Sequence, residues 1–136
     1  MPCEKFVSGG SLIMKTGETT LNQDCVAILN TAAAGQCKRP TGSAQTTDRV
    51  VGVLKDLTHA AGATQQYQSE GICLVAIAAA VSIGDRLVIA DVAGQVRKMV
   101  EAADAGADIV GVAQTANTTA GSKVYVQLTP NQIVHS

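Results

Sequence analysis

The sequence predicts an all-β fold with little helix, and three observations carry that prediction. Apolar residues make up 46% of the 136-residue chain, yet they are mainly Ala and Val: one Phe, two Tyr and no Trp stand beside 13 Gly. Small and β-branched side chains suit thin β layers joined by tight turns. Short alternating or apolar runs recur between turn signals, at the spacing of strands in a barrel or sandwich. The third observation is a repeat. Gly35-Gln36, Val50-Val51-Gly52-Val53 and Ala61-Gly62 return as Gly94-Gln95, Ile109-Val110-Gly111-Val112 and Ala120-Gly121, and 94 − 35, 111 − 52 and 121 − 62 all equal 59. Lys38-Arg39 and Arg97-Lys98 occupy matching places, and with a small insertion the match runs upstream to Asp24 and Asp85. The expectation is a duplicated strand unit, about 24–70 and 84–128, within a single β domain over 11–130.

Residues 1–10 read as an extended arm and 11–15 as a first strand. In the first unit, 25–29 is a strand, 31–35 a loop, and 36–39 a strand broken by Pro40, which lacks the donor a ladder needs. A polar loop over 41–47 leads to a core strand over 49–54, a turn over 58–62 and an exposed strand over 64–69. The segment 71–78 is an apolar strand joining the units. Its Ala run over 76–80 favours helix, but the flanking Val75, Ile77, Val81 and Ile83 favour strand.

The second unit opens on the turn signal Gly84-Asp85, with a strand over 86–90 and a hairpin loop over 91–94. Residues 95–100 alternate Val96, Lys98, Val100 against Arg97 and Met99. Residues 101–107 form a loop or one helical turn, 108–114 a core strand and 115–122 a loop. The last strand, 123–128, alternates Val124, Val126, Leu128 against Tyr125 and Gln127 as an edge strand would. Residues 131–136 are a tail.

Several chemistries lack their residues. The net charge of −1 offers no basic field for a phosphate backbone, and aromatics for base stacking are scarce. The longest apolar run, 72–83, is about half a membrane span. The N-terminus lacks the charged-then-apolar pattern of a signal peptide. Cys3, Cys25, Cys37 and Cys73 form no Cys-x-x-Cys pair, and with His59 and His135 as the two histidines no zinc spacing arises. Buried reduced thiols are expected at Cys25, Cys37 and Cys73, with Cys3 the candidate for exposure. His59 falls in a turn and His135 in the tail, so neither has the support a nucleophile's base requires. Asp85, Asp91, Asp104 and Asp108 are spaced as turn residues, not as a calcium loop. No Gly-rich run ends in Lys-Ser/Thr. The expectation is a protein without a catalytic site, metal or cofactor, which works by contact.

One ordered set of motifs resembles a known family. Gly84-Asp85-Arg86-Leu87-Val88-Ile89-Ala90-Asp91-Val92-Ala93-Gly94-Gln95-Val96 is followed by Val110-Gly111-Val112-Ala113 and by Ala120-Gly121-Ser122-Lys123-Val124-Tyr125-Val126-Gln127-Leu128. Gly52-Val53 and Gly71-Ile72-Cys73-Leu74-Val75 precede them, so the resemblance covers about 24–128. Together they resemble the capsid cement, or head decoration, proteins of tailed bacteriophages. The resemblance implies a small β-barrel or β-tulip domain, commonly a homotrimer, on the outer surface of the mature head. It would be made in the host cytoplasm and would bridge subunits of the major capsid protein. It also implies an N-terminal arm that adds a strand to a capsid edge, a mode open to Pro2, Cys3, Glu4, Lys5 and Phe6. Lys38, Arg39, Arg97 and Lys98 complete the candidate interface residues. The segments 38–49 and 55–70 are longer than the family's common pattern. Two other readings stand beside it: a small ligand-binding or enzymatic β-barrel using Asp85 or Asp108 as a base, and a tail or fibre component.

Overall fold

A computed structural model describes residues 11–16, 22–32, 35–55 and 64–129. The expected arm over 1–10 and the tail over 131–136 lie outside them. Among the described residues every regular element is a strand. The strands are β1 (Ser11–Thr16), β2 (Val26–Leu29), β3 (Gln36–Lys38), β4 (Val50–Leu54) and β5 (Thr64–Gln68). They continue as β6 (Gly71–Ala76), β7 (Arg86–Ile89), β8 (Val96–Lys98), β9 (Gly111–Ala113) and β10 (Lys123–Leu128). The all-β class is therefore the observed one.

The first five strands close into a barrel in the order β1-β3-β2-β4-β5. β1 pairs antiparallel with β5 from Ser11↔Gln68 to Lys15↔Thr64. It pairs parallel with β3 at Lys15↔Gln36 and Thr16↔Cys37, which closes the ring. Ala27, Cys37, Leu54 and Tyr67 fill the inside, and Tyr67 is fully buried. The second five strands run β6-β10-β9-β7-β8. The outer two approach through a parallel bridge at Ile77↔Val96, where the Ala78 amide donates to the Val96 carbonyl at 2.8 Å. Cys73, Val75, Leu87, Val96, Ala113, Val124, Val126 and Leu128 belong to the larger core here.

The two rings follow the same path. Leu54↔Tyr67 in the first corresponds to Ala113↔Val126 in the second, and Leu29↔Cys37 to Ile89↔Val96. Likewise Ala27↔Gly52 corresponds to Leu87↔Gly111, and Ser11↔Gln68 falls where Ile72↔Gln127 does. The inward side chains trade size between the rings. Ala27 and Tyr67 in one stand for Leu87 and Val126 in the other, and Leu54 for Ala113. Such exchange keeps a close-packed interior filled without conserving any one residue.

The structure corrects the sequence reading in four places. Asp24 corresponds to Gly84, not Asp85: the Asp24 amide donates to Leu54 O at 2.7 Å and the Gly84 amide to Ala113 O at 2.8 Å. β10 is an interior strand between β6 and β9, and its alternation marks the inner and outer faces of a wall, not an edge. The strand expected over 108–114 shrinks to Gly111–Ala113, because the Asp108 carboxylate is drawn to Arg49 and to the Val50 amide. Finally, the strands form two sheets and not one barrel: β1 to β5 close a barrel, and β6 to β10 form a five-stranded sheet whose outer strands meet only at the Ile77↔Val96 bridge, with β1 and β6 each drawn from outside the expected units.

The rings are joined along β6. Its edge facing away from β10 presents carbonyls that an open edge would leave as a template for foreign strands. The first ring caps them: Gln68 Nε2 donates to Ile72 O at 3.2 Å and Lys55 Nζ to Leu74 O at 3.1 Å. The Ala76 amide donates to Asp24 O at 2.9 Å, and the Val26 amide to Gly94 O at 2.8 Å. Val26, Ile28 and Val53, on the outside of the first ring, thereby enter the core of the second. The loop over 39–49 reaches across as well. The Ala44 amide donates to Ile89 O at 2.9 Å, and the Ala44 side chain packs with Val88, Ile109 and Met99.

Candidate interaction surface

Among the described residues, three ion-paired centres have contacts of 2.7 Å or shorter. At the ring junction, the Asp24 carboxylate meets Lys55 Nζ at 2.6 Å and Lys123 Nζ at 2.7 Å, while itself nearly buried. Burial works against its charge, but the hydrogen bonds and positive charges of Lys123 and Lys55 outweigh it and hold the carboxyl below its ordinary range. Asp104 takes Arg97 in a two-pronged pair, Nη1 to Oδ2 at 2.9 Å and Nη2 to Oδ1 at 2.7 Å. It also accepts the Val100 amide at 2.7 Å. The hydrogen bond from Arg97 is the chief reason its carboxyl is depressed. The third centre joins Arg49 to Asp108 at 2.6 Å.

These pairings decide what the aspartates do. Asp85 accepts the Ser82 amide, and Asp91 accepts the Ala93 and Gln95 amides, so both fasten their own turns. Asp104 and Asp108 instead reach across to other segments. Every carboxylate of that group is committed to the architecture, which leaves a poor setting for a general base. Among the described residues no group of three or more His, Cys, Asp or Glu is placed to hold a metal ion. His59 and His135 lie outside them.

The expected interface residues divide. Pro2, Cys3, Glu4, Lys5 and Phe6 lie outside the described residues. Lys38 is half-buried on β3, and Arg39 follows it, exposed. Lys98 is exposed on β8, 3.9 Å from Asp85. Arg97 is held by Asp104, and its Nε also donates to Ser43 Oγ at 3.1 Å, so its guanidinium is a structural group. The Asp24–Lys55–Lys123 centre had no sequence signal: its members lie far apart in the chain and in no shared motif.

The surface also carries apolar side chains. Ile72 is 54% exposed and Tyr125 49% exposed, on neighbouring strands of the second ring's outer wall. Val112 is half-buried on the strand beside them.

The three thiols among the described residues are sealed. Cys25, Cys37 and Cys73 are buried, and burial, aided by the charges of Asp91 and Asp24, pushes the Cys25 thiol up to about 11. Iodoacetamide at pH 8 is expected to leave these three unmodified in the native protein and to label them fully in denaturant, read by peptide mass mapping. Rapid native labelling at Cys25 would refute this packing.

No family model and no curated protein matches the sequence. A search of solved structures does find a match. The crystal structure of the N base of the head fiber protein gp8.5 of bacteriophage phi29 superposes with a TM-score of 0.64. The alignment covers 92% of this chain and 98% of that one at 11% sequence identity. At that identity the likeness is one of fold.

Proposed function

We propose that this chain is a structural protein of a bacteriophage head, seated on the outer surface of the mature capsid as a homotrimer and bridging subunits of the major capsid protein. The observation that carries the reading is the extent of the structural likeness. Nearly all of a head fiber base is matched by nearly all of this chain, so the likeness extends over the fold and is not confined to one motif. Two further points support it. Asp85, Asp91, Asp104 and Asp108 are tied up in turns and ion pairs, which favours contact over catalysis. A ligand that binds the mature lattice and not its precursor stabilises that lattice by mass action, and several bridging contacts add avidity without one strong site.

A second reading has a specific observation in its favour: the matched structure is a fiber base, so this chain would plant a projecting fibre on the head. One experiment separates the two. Purified protein is added to mature heads and to precursor shells, and the complexes are examined by electron cryomicroscopy and by heating. Cementing predicts regular density between capsid subunits on mature heads alone and DNA retention to higher temperature. A fibre base predicts attachment at isolated sites with no gain in heat resistance. Failure to bind either particle would remove both readings, and substrate turnover by the isolated protein would point to the enzymatic one.

A further inference from the structure

Within one chain, the first ring's outer wall is covered by the second ring. Val26 and Val53 are fully buried there, and Gln68 and Lys55 reach over to cap β6. On the covering side, Gly94 lies so close that a Cβ added to it would sit 2.6 Å from Val26 O. Because the rings share one path, each half of this contact has a counterpart on the other ring. The wall positions Val26, Val53, Lys55 and Gln68 correspond to Arg86, Val112, Gln114 and Gln127. The covering positions Ile72, Leu74 and Gly94 correspond to Ser11, Ile13 and Gly35.

The wall counterpart and the Gly35 turn are both open. Arg86 and Gln114 are exposed, and Val112 and Gln127 are half-buried where Val53 is fully buried. On the other side, a Cβ on Gly35 would meet no atom within 4 Å, in contrast to Gly94. Leu29 beside it is 42% exposed, whereas its counterpart Ile89 is 3% exposed. The chain thus presents a wall at one end and the kind of surface that covers such a wall at the other.

We infer that copies of this chain associate head to tail, the wall of one second ring (Arg86, Val112, Gln114, Gln127) docking on the β1 edge and Gly35 turn of the next copy's first ring. The contact repeats between chains the one that joins the rings within a chain. Gln127 takes the place of Gln68 and caps the Ser11 carbonyl of the neighbour, as Gln68 caps Ile72. Because the two surfaces differ, the contact is heterologous and generates a ring when its rotation closes. The inference rests on the self-association proposed above and gives that association a surface.

Two lesions test it by sedimentation velocity, one on each side. Gly35→Asn keeps a residue that tolerates positive φ and points into open space, so it folds, yet it occupies the room a docked neighbour needs. Val112→Glu places a charge on the wall, and the exposed Arg86→Glu is a second lesion there should Val112→Glu lower the melting temperature. Wild-type protein is expected to sediment as a multimer, and each variant as a monomer of 13.9 kDa with at least tenfold weaker association. An equimolar mixture of Gly35→Asn with a wall variant retains one intact wall and one intact Gly35 side, so it should yield a two-chain species and no larger ring. Variants that still form the wild-type multimer, or a monomeric wild type, overturn the inference. A wild-type multimer broken by these lesions that nonetheless ignores phage heads upholds this surface and refutes the capsid reading. A monomer that binds heads does the reverse.

Discussion

Gly111→Ala is expected to destabilise the fold by about 3 kcal/mol, lowering the melting temperature by about 10 °C. The cause is lack of room. A Cβ on Gly111 would sit 2.3 Å from Gln127 O and 2.6 Å from Val126 Cγ1, and the nearest of these is backbone of the neighbouring strand. β9 lies between β7 and β10, so relief requires moving a ladder on one side or the other. Gly52 holds the matching place in the first ring, where the added Cβ would sit 2.5 Å from Gln68 O. Gly52→Ala should therefore cost about as much. Gly84 provides the contrast. Its φ is +87°, but nothing lies within 4 Å of its would-be Cβ. Gly84→Ala then meets backbone strain alone, about 1 kcal/mol, and Gly84→Asn less, since Asp24 already occupies the equivalent position at φ +64°. Thermal melts of the four variants check the order. Equal losses at Gly84 and Gly111 would mean that conformation, not crowding, governs these sites.

The same residues show what the sequence could and could not reveal. Gly52 and Gly111 were conspicuous because both stand in Val-Gly-Val at one offset, and strand formation around them follows from β-branched neighbours. Strand ends were legible where Gly or Pro marks them. The ring closures were not. Pairing of β1 with β3 and of Ile77 with Val96 joins segments by parallel contacts whose partners no local pattern specifies. The alternation of Val124, Val126 and Leu128 gave the strand but not its place in the wall, because an inner-and-outer alternation looks the same at an edge and in the interior. Ion pairs were the least legible. Arg97 looked like a surface cation until Asp104, in a stretch of Ala, Asp and Gly, folded back onto it. The Asp24 centre draws on a turn, a strand end and β10, which sequence spacing cannot bring together.

That centre makes the fold acid-sensitive in a defined window. Asp24 carries a carboxyl depressed in the folded state, so its contribution is fully present above the unfolded carboxyl's pKa of about 4 and fades as the pH falls through the lower folded value. Asp24→Asn preserves tolerance of the left-handed backbone but leaves Lys55 and Lys123 facing each other without their anion. Removing one member of a fully buried pair costs about 3–5 kcal/mol; both lysines are partly exposed here, so about 2 kcal/mol is expected at pH 7. Asp104 is depressed too and adds its own acid sensitivity, so the informative quantity is the difference between wild type and Asp24→Asn. Urea unfolding at a series of pH values should show that difference steady from pH 7 to about 5, then shrinking toward pH 2 as the wild-type carboxyl protonates. Lys123→Gln should cost less than Asp24→Asn, because Lys55 still meets the carboxylate at 2.6 Å. A difference that persists unchanged at pH 2 would assign the loss to the amide's packing, and the ionic account of the ring junction would fall.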